Sequence, residues 1–166
     1  MRQPQPHTRL LSLFYWLPLP VWMTAIFLAS TSVGASEVSL ALVTRVAHFL
    51  IPDQFDLLDS SGLGKLNFIV RKCAHITEYA ILTLILIRAL QFGAKQLRLR
   101  SVGVAIAVSF LFACTDEWHQ SFVPGRTPAI RDVFIDTVGA TVIAAGVVIW
   151  YALKRLELRL WSHGDH

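Results

Sequence analysis

Apolar residues dominate four stretches of the chain, residues 11–30, 68–90, 101–120 and 130–151. Each is close to the roughly 20 residues that a helix needs to cross a hydrocarbon core of about 30 Å. The pattern predicts an all-α, polytopic membrane protein with four transmembrane helices. Pro18 and Pro20 lie inside the first stretch. Each removes one helical hydrogen bond, and neighbouring helices can satisfy the freed carbonyls, so a kinked span is expected. Arg2 and Arg9 before this stretch and Val33-Gly34-Ala35 after it imitate a signal peptide. The apolar run exceeds a signal core of about 7–15 residues and carries Trp16 and Trp22, so a retained helix is expected.

The connections carry their own pattern. Between the first two spans, Leu40, Val43, Ala47, Leu50 and Ile51 recur at helical spacing, which predicts a short amphipathic helix at the outer interface. Pro52 ends it, and Gly62 and Gly64 suggest a turn before the second span. The run Val123-Pro124-Gly125-Arg126-Thr127-Pro128 is dense in turn residues, so the third and fourth spans are expected to be adjacent and antiparallel.

At 166 residues the chain is long enough for one domain, taken as residues 1–166. Hydrophobic residues make up 54% and charged residues 16%, too little polar surface for a water-soluble fold of this size. Charge adds an orientation. Arg2, Arg9, Arg88, Lys95, Arg98, Arg100, Lys154, Arg155 and Arg159, nine of the fifteen Lys and Arg, fall on the side of the termini and of the second loop. The excess predicts that both termini face the cytoplasm, in a bacterial inner membrane. Basic residues at span ends, with no basic stripe among aromatics, exclude a nucleic-acid partner. Cys73 and Cys114 make neither a disulfide framework nor a zinc site and read as buried free thiols. Trp16, Trp22, Trp118, Trp150 and Trp161 read as interfacial anchors, and Gly139 and Gly146 as points of close helix packing.

Three spans carry ionisable residues that a bilayer would not accept singly. The second has Arg71, Lys72, His75 and Glu78; the third has Asp116, Glu117 and His119, followed by Gln120; the fourth has Arg131, Asp132 and Asp136. At 1.5 Å per residue, Glu78 and Asp116 fall roughly 10 Å, and Asp136 roughly 5 Å, below the outer surface. Arg71, His75 and Glu78 share one helix face, as do Asp132 and Asp136, and as do Asp116, His119 and Gln120. A charge near mid-span costs about 2.5–3.5 kcal/mol on insertion scales, so a shared polar pocket facing outward is expected.

The residue types allow several uses of that pocket. Arg71, Lys72, Arg126 and Arg131 suit a phosphate or carboxylate, while Glu78, His75, Asp116 and His119 are the candidates for moving a proton. Glu117, Gln120, Asp132 and Asp136 complete the network. The expected partners are membrane lipids and a lipid-linked or cell-wall precursor. A non-enzymatic assembly factor, in which the charges form a purely structural ion-pair network, is the alternative. His75-x-x-Glu78 with Glu117-x-His119 and the Asp132/Asp136 pair would suit a metal, but the spacing is a common chance match, and neither metal nor cofactor is assigned. An ion path is disfavoured because the cytoplasmic half of each span lacks charges to continue it.

The same residues carry a family resemblance. Arg71-Lys72-Cys73-Ala74-His75-Ile76-Thr77-Glu78-Tyr79 resembles the Arg-Lys-x-x-His-x-x-Glu-Tyr signature of VanZ-like membrane proteins. The run from Asp116 to Arg126, ending Phe122-Val123-Pro124-Gly125-Arg126, resembles the second signature, and Arg131-Asp132-Val133 with Asp136 and Gly139 the third. Family members often carry Ser-Ser-Gln after the first span, where this chain has Ala29-Ser30-Thr31-Ser32, without the amide. The resemblance implies four transmembrane helices and a bacterial membrane, and the namesake is associated with resistance to the glycopeptide teicoplanin. A phosphotransbutyrylase label used for some members is not carried over, since acyl-CoA chemistry belongs to the cytoplasm and this cluster is expected to face outward.

Overall fold

The computed structural model describes residues 6–31, 35–55, 59–124 and 128–163. Among them the chain forms seven helices and no strand: α1 (Pro6–Trp16), α2 (Pro18–Thr31), α3 (Ala35–Leu50), α4 (Pro52–Phe55), α5 (Ser60–Leu90), α6 (Leu99–Gln120) and α7 (Ile130–His163). Four helical stretches are long and apolar enough to cross a membrane: Leu10–Thr31, α5, α6 and the Ile130–Trp161 part of α7. The chain is an all-helical, multi-pass membrane protein. Phe134, Val142 and Leu111 are each at least 60% exposed, a surface that suits acyl chains and not water.

The first span is broken where its prolines fall. Pro18 cannot donate to the carbonyl of Phe14, and the helix interrupts at Leu17 between α1 and α2. The freed Phe14 carbonyl accepts instead from Arg88 Nη1 at 3.4 Å, so α5 supplies the missing donor. The Arg88 guanidinium also lies over the Phe14 and Tyr15 rings, at 4.7 and 4.5 Å from their centroids.

α5 starts earlier than the apolar pattern indicates. Asp59 caps it, accepting from the Gly62 amide at 2.7 Å, and this N-cap carries Gly62 and Gly64 into the helix in place of the expected turn. α3 is a helix over the expected segment and turns Val43 and Ala47 onto α5, with Ser39 donating to Asn67 Oδ1 at 2.8 Å. Val38, Leu42 and Phe49 stay exposed, a face of the kind an interfacial helix presents to lipid. Between α5 and α6 the backbone turns through Gly93, whose φ of 72° favours glycine, and the Gln91 side chain clamps the Arg98 backbone with two hydrogen bonds.

α5 and α7 run in the same direction and pack on each other most extensively, with α6 antiparallel to both. Gly139 permits that contact: a Cβ there would come within 3.0 Å of the Ile76 Cα. Gly146 does not have the packing role expected of it, because it is exposed and a Cβ would meet nothing within 4 Å. Tyr79, Leu82, Val102, Ala105, Ala140 and Ala144 fill the core, and Thr83 and Ser109, both fully buried, are joined at 2.7 Å between α5 and α6. Cys73 and Cys114 are free thiols, but Cys73 is exposed because it faces away from the bundle. Trp22 is no surface anchor either: it is half-buried and donates to the Glu78 carbonyl at 3.0 Å.

Candidate functional site

The topology puts the start of α5, the end of α6 and the start of α7 at one end of the bundle, with the end of α2 beside them. Asp116 on α6 is 3% exposed, yet both its oxygens are occupied. Ser30 of α2 donates to Oδ1 at 2.6 Å and Gln120, one turn along α6, donates to Oδ2 at 3.1 Å. Ser30 occupies the stretch where the amide is missing, and its hydroxyl joins two spans.

Glu117 is buried as well and accepts from the Ala129 amide at 2.5 Å. That bond ties the end of α6 to the residue before α7, and it sets a carboxylate by the N-terminus of α7, where unpaired amides and the helix dipole favour negative charge. Lys72 Nζ and Asp132 Oδ1 meet at 2.6 Å, a mostly buried ion pair joining α5 to α7. Lys72 and the exposed Arg131 both lie over the Phe68 ring, at 5.2 and 5.8 Å from its centroid.

The second group is less completely paired. His75 Nδ1 faces Asp136 Oδ1 at 3.5 Å and Glu78 Oε2 at 4.0 Å. Asp136 is 2% exposed, while the Glu78 side chain keeps 30% exposure. At 3.5 Å the His75–Asp136 contact is a long ion pair, and neither Nδ1 nor Oδ1 has a shorter hydrogen bond among the described residues. Two further buried atoms have no hydrogen bond among the described residues, the Tyr79 hydroxyl and His119 Nδ1. His119 packs against Phe27 of α2, their rings 4.3 Å apart. Tyr79 is fully buried and lies within electrostatic reach of Asp116, Asp136, Glu78 and Glu117. It is the point on which carboxylates from all three spans converge.

Of the twelve residues singled out in the sequence, His75, Glu78 and Asp136 form one group and Asp116 and Gln120 another. Glu117 stands at the α6–α7 junction, with Lys72 and Asp132 paired beside it. Arg71 is half-buried and makes no ion pair among the described residues. Arg131 is exposed at the rim, His119 is turned toward α2, and Arg126 lies outside the described residues. Ser30, Tyr79 and the Ala129 amide were not singled out. Tyr79 closes the first quoted motif, one position after Glu78, and that adjacency was the available signal; nothing local marks an amide 12 residues from its carboxylate.

Chemically the interior is a carboxylate–imidazole–phenol cluster with its cations, Lys72, Arg71 and Arg131, nearer the surface. Among the described residues no three His, Cys, Asp or Glu side chains gather closely enough to hold a metal ion. A largely apolar groove of about 450 Å³ between α6 and α7 reaches Glu117, bounded by Cys114, Trp118, Ala129 and Phe134. A protein-family model, VanZ/LLP1, matches residues 14–154, a stretch that includes every residue of this cluster. No curated protein and no solved structure matches the chain.

Proposed function

The chain belongs to the VanZ/LLP1 family, and from that premise we propose that the cluster is an outward-facing site of the bacterial cell envelope for the anionic head of a lipid-linked or cell-wall precursor. The carrying observation is that, among the described residues, the Tyr79 hydroxyl and His119 Nδ1 are buried without a hydrogen bond, while His75 Nδ1 and Asp136 Oδ1 meet only at 3.5 Å. Burying such a group unpaired costs about 1–3 kcal/mol, a cost that a bound polar group or water would remove. Arg71 and Arg131 hold the anion at the rim. His75, placed between Asp136 and Glu78, is the proton carrier. The apolar groove beside Glu117 suits the lipid part of the same molecule. Reduced susceptibility to a glycopeptide of the teicoplanin type is the phenotype this reading connects to, since such drugs act on the same precursors.

A structural role for part of the network is favoured by a separate observation. Both oxygens of Asp116 are satisfied, and Lys72 and Asp132 satisfy one another. Asp116, Glu117 and Asp132 therefore hold helices together, and the chemistry is left to His75, Tyr79, Asp136 and Glu78.

Binding of a polyisoprenyl-diphosphate-linked sugar to the protein in neutral-lipid nanodiscs tests the proposal. Saturable binding should weaken about tenfold in the Arg71→Gln/Arg131→Gln double variant, the effect of losing a charge-assisted hydrogen bond. Binding of equal strength in wild type and double variant refutes it and leaves the network as structure alone.

A further inference from the structure

The opposite end of the bundle holds a second cavity, of about 560 Å³, within the range of about 300–1,000 Å³ usual for ligand sites. It lies between α5 and α7, lined by Leu84, Ile87 and Arg88 of α5, by Gln91 just past its end, and by Ile143, Gly146 and Trp150 of α7. The two helices run in the same direction, so its composition changes along the membrane normal. Its deep part is aliphatic, with Leu84 and Ile143. Roughly 6 Å nearer the surface, by the helix rise, it becomes polar at Arg88, with Gln91 and Gln96 beyond it. Tyr15, Trp150 and Tyr151 line the same level, where amphipathic rings favour the headgroup region.

Arg88 is the charge in this cavity. It is half-buried and has no carboxylate partner among the described residues. Of the five N–H donors of a guanidinium, one reaches the Phe14 carbonyl, and the rest have no acceptor among the described residues. The contacts with Phe14 and Tyr15 hold the guanidinium in place without neutralising it. A half-buried, positioned cation at the wet end of an aliphatic slot is complementary to a molecule with an anionic head and an apolar tail.

We propose that this cavity binds one anionic phospholipid of the leaflet at the basic end of the bundle. Its phosphate sits on Arg88 and on the Gln91 and Gln96 side chains, and part of an acyl chain runs past Leu84, Ile143 and Val147. Free phosphate would leave the aliphatic half unfilled, and a lipid without a phosphate, such as a diacylglycerol, would leave the guanidinium unpaired. The cavity is separate from the carboxylate cluster and does not depend on the function assigned there.

Native mass spectrometry of the protein in detergent, loaded with phosphatidylglycerol or with a diacylglycerol of identical acyl chains, tests the site. Wild type should retain one phosphatidylglycerol per chain, at least tenfold more tightly than the diacylglycerol, and excess inorganic phosphate should not displace it. Arg88→Gln should abolish the preference. Because Arg88 also steadies α1, Gly146→Leu provides an independent arm: its side chain enters open space, leaves Arg88 in place and should weaken retention about tenfold by filling the slot. The Arg71→Gln/Arg131→Gln variant should retain the lipid as wild type does. Equal retention of the two lipids, displacement by phosphate, undiminished retention in Gly146→Leu, or loss in the Arg71/Arg131 variant would each overturn the proposal.

Discussion

Ser30 and Asp116 are separated by 86 positions and meet at 2.6 Å. In water such a bond contributes little, but inside the bundle Ser30 and Gln120 are the donors to Asp116 among the described residues, and a buried carboxylate left short of a donor is costly. Ser30→Ala is expected to lower unfolding stability by about 1–2 kcal/mol. Thr31→Ala removes a hydroxyl that, among the described residues, bonds the Phe27 carbonyl of its own helix, and should change it by no more than about 0.5 kcal/mol. Reversible unfolding in mixed micelles compares the two, and equal losses would show that the Ser30–Asp116 link carries no weight. The inverse case is Tyr79, whose hydroxyl has no hydrogen-bond partner among the described residues. An aromatic residue on an inward helix face reads in sequence as core. Only its burial among carboxylates from three spans distinguishes it, and that depends on where α6 and α7 pass.

At the scale of elements, the four spans were legible because length and apolarity are local properties that a bilayer tests directly. The start of α5 was less so: Gly62 and Gly64 point to a turn, but the Asp59 cap and packing against α3 carry the helix through both. The break at Pro18 was expected, but not its repair, since Arg88 lies 74 positions from the carbonyl it serves. The two glycines of α7 differ in a way that spacing does not reveal. At Gly139 a Cβ would lie 2.9 Å from the Ile76 carbonyl carbon, and backbone on backbone leaves no side chain to yield. Gly139→Ala should therefore separate α5 from α7 and cost about 2 kcal/mol or more. Gly146→Ala should leave stability unchanged or raise it by up to about 1 kcal/mol, because alanine is the better helix former and the site is open. Thermal denaturation in detergent is the measurement, and comparable melting temperatures for the two variants would mean that α5 and α7 do not meet at Gly139.

For the whole molecule, sidedness joins the chemistry to the cell. The carboxylate cluster lies at one end of the bundle, while Arg88, Arg98, Arg100, Lys154, Arg155 and Arg159 lie at the other. Basic loops are retained in the cytoplasm, so the cluster should face outward. In a chain with Cys73 and Cys114 replaced by alanine, a cysteine at Ser60 should react with a membrane-impermeant maleimide in intact spheroplasts, and one at Leu158 only after lysis. The two proposals respond differently to the reverse result. A site for an envelope precursor cannot work from the cytoplasmic face, so labelling at Leu158 in intact cells would remove that function. The lipid cavity would remain, because Arg88 and its aliphatic slot keep their shape whichever side of the membrane they face, and only the leaflet supplying the lipid would change.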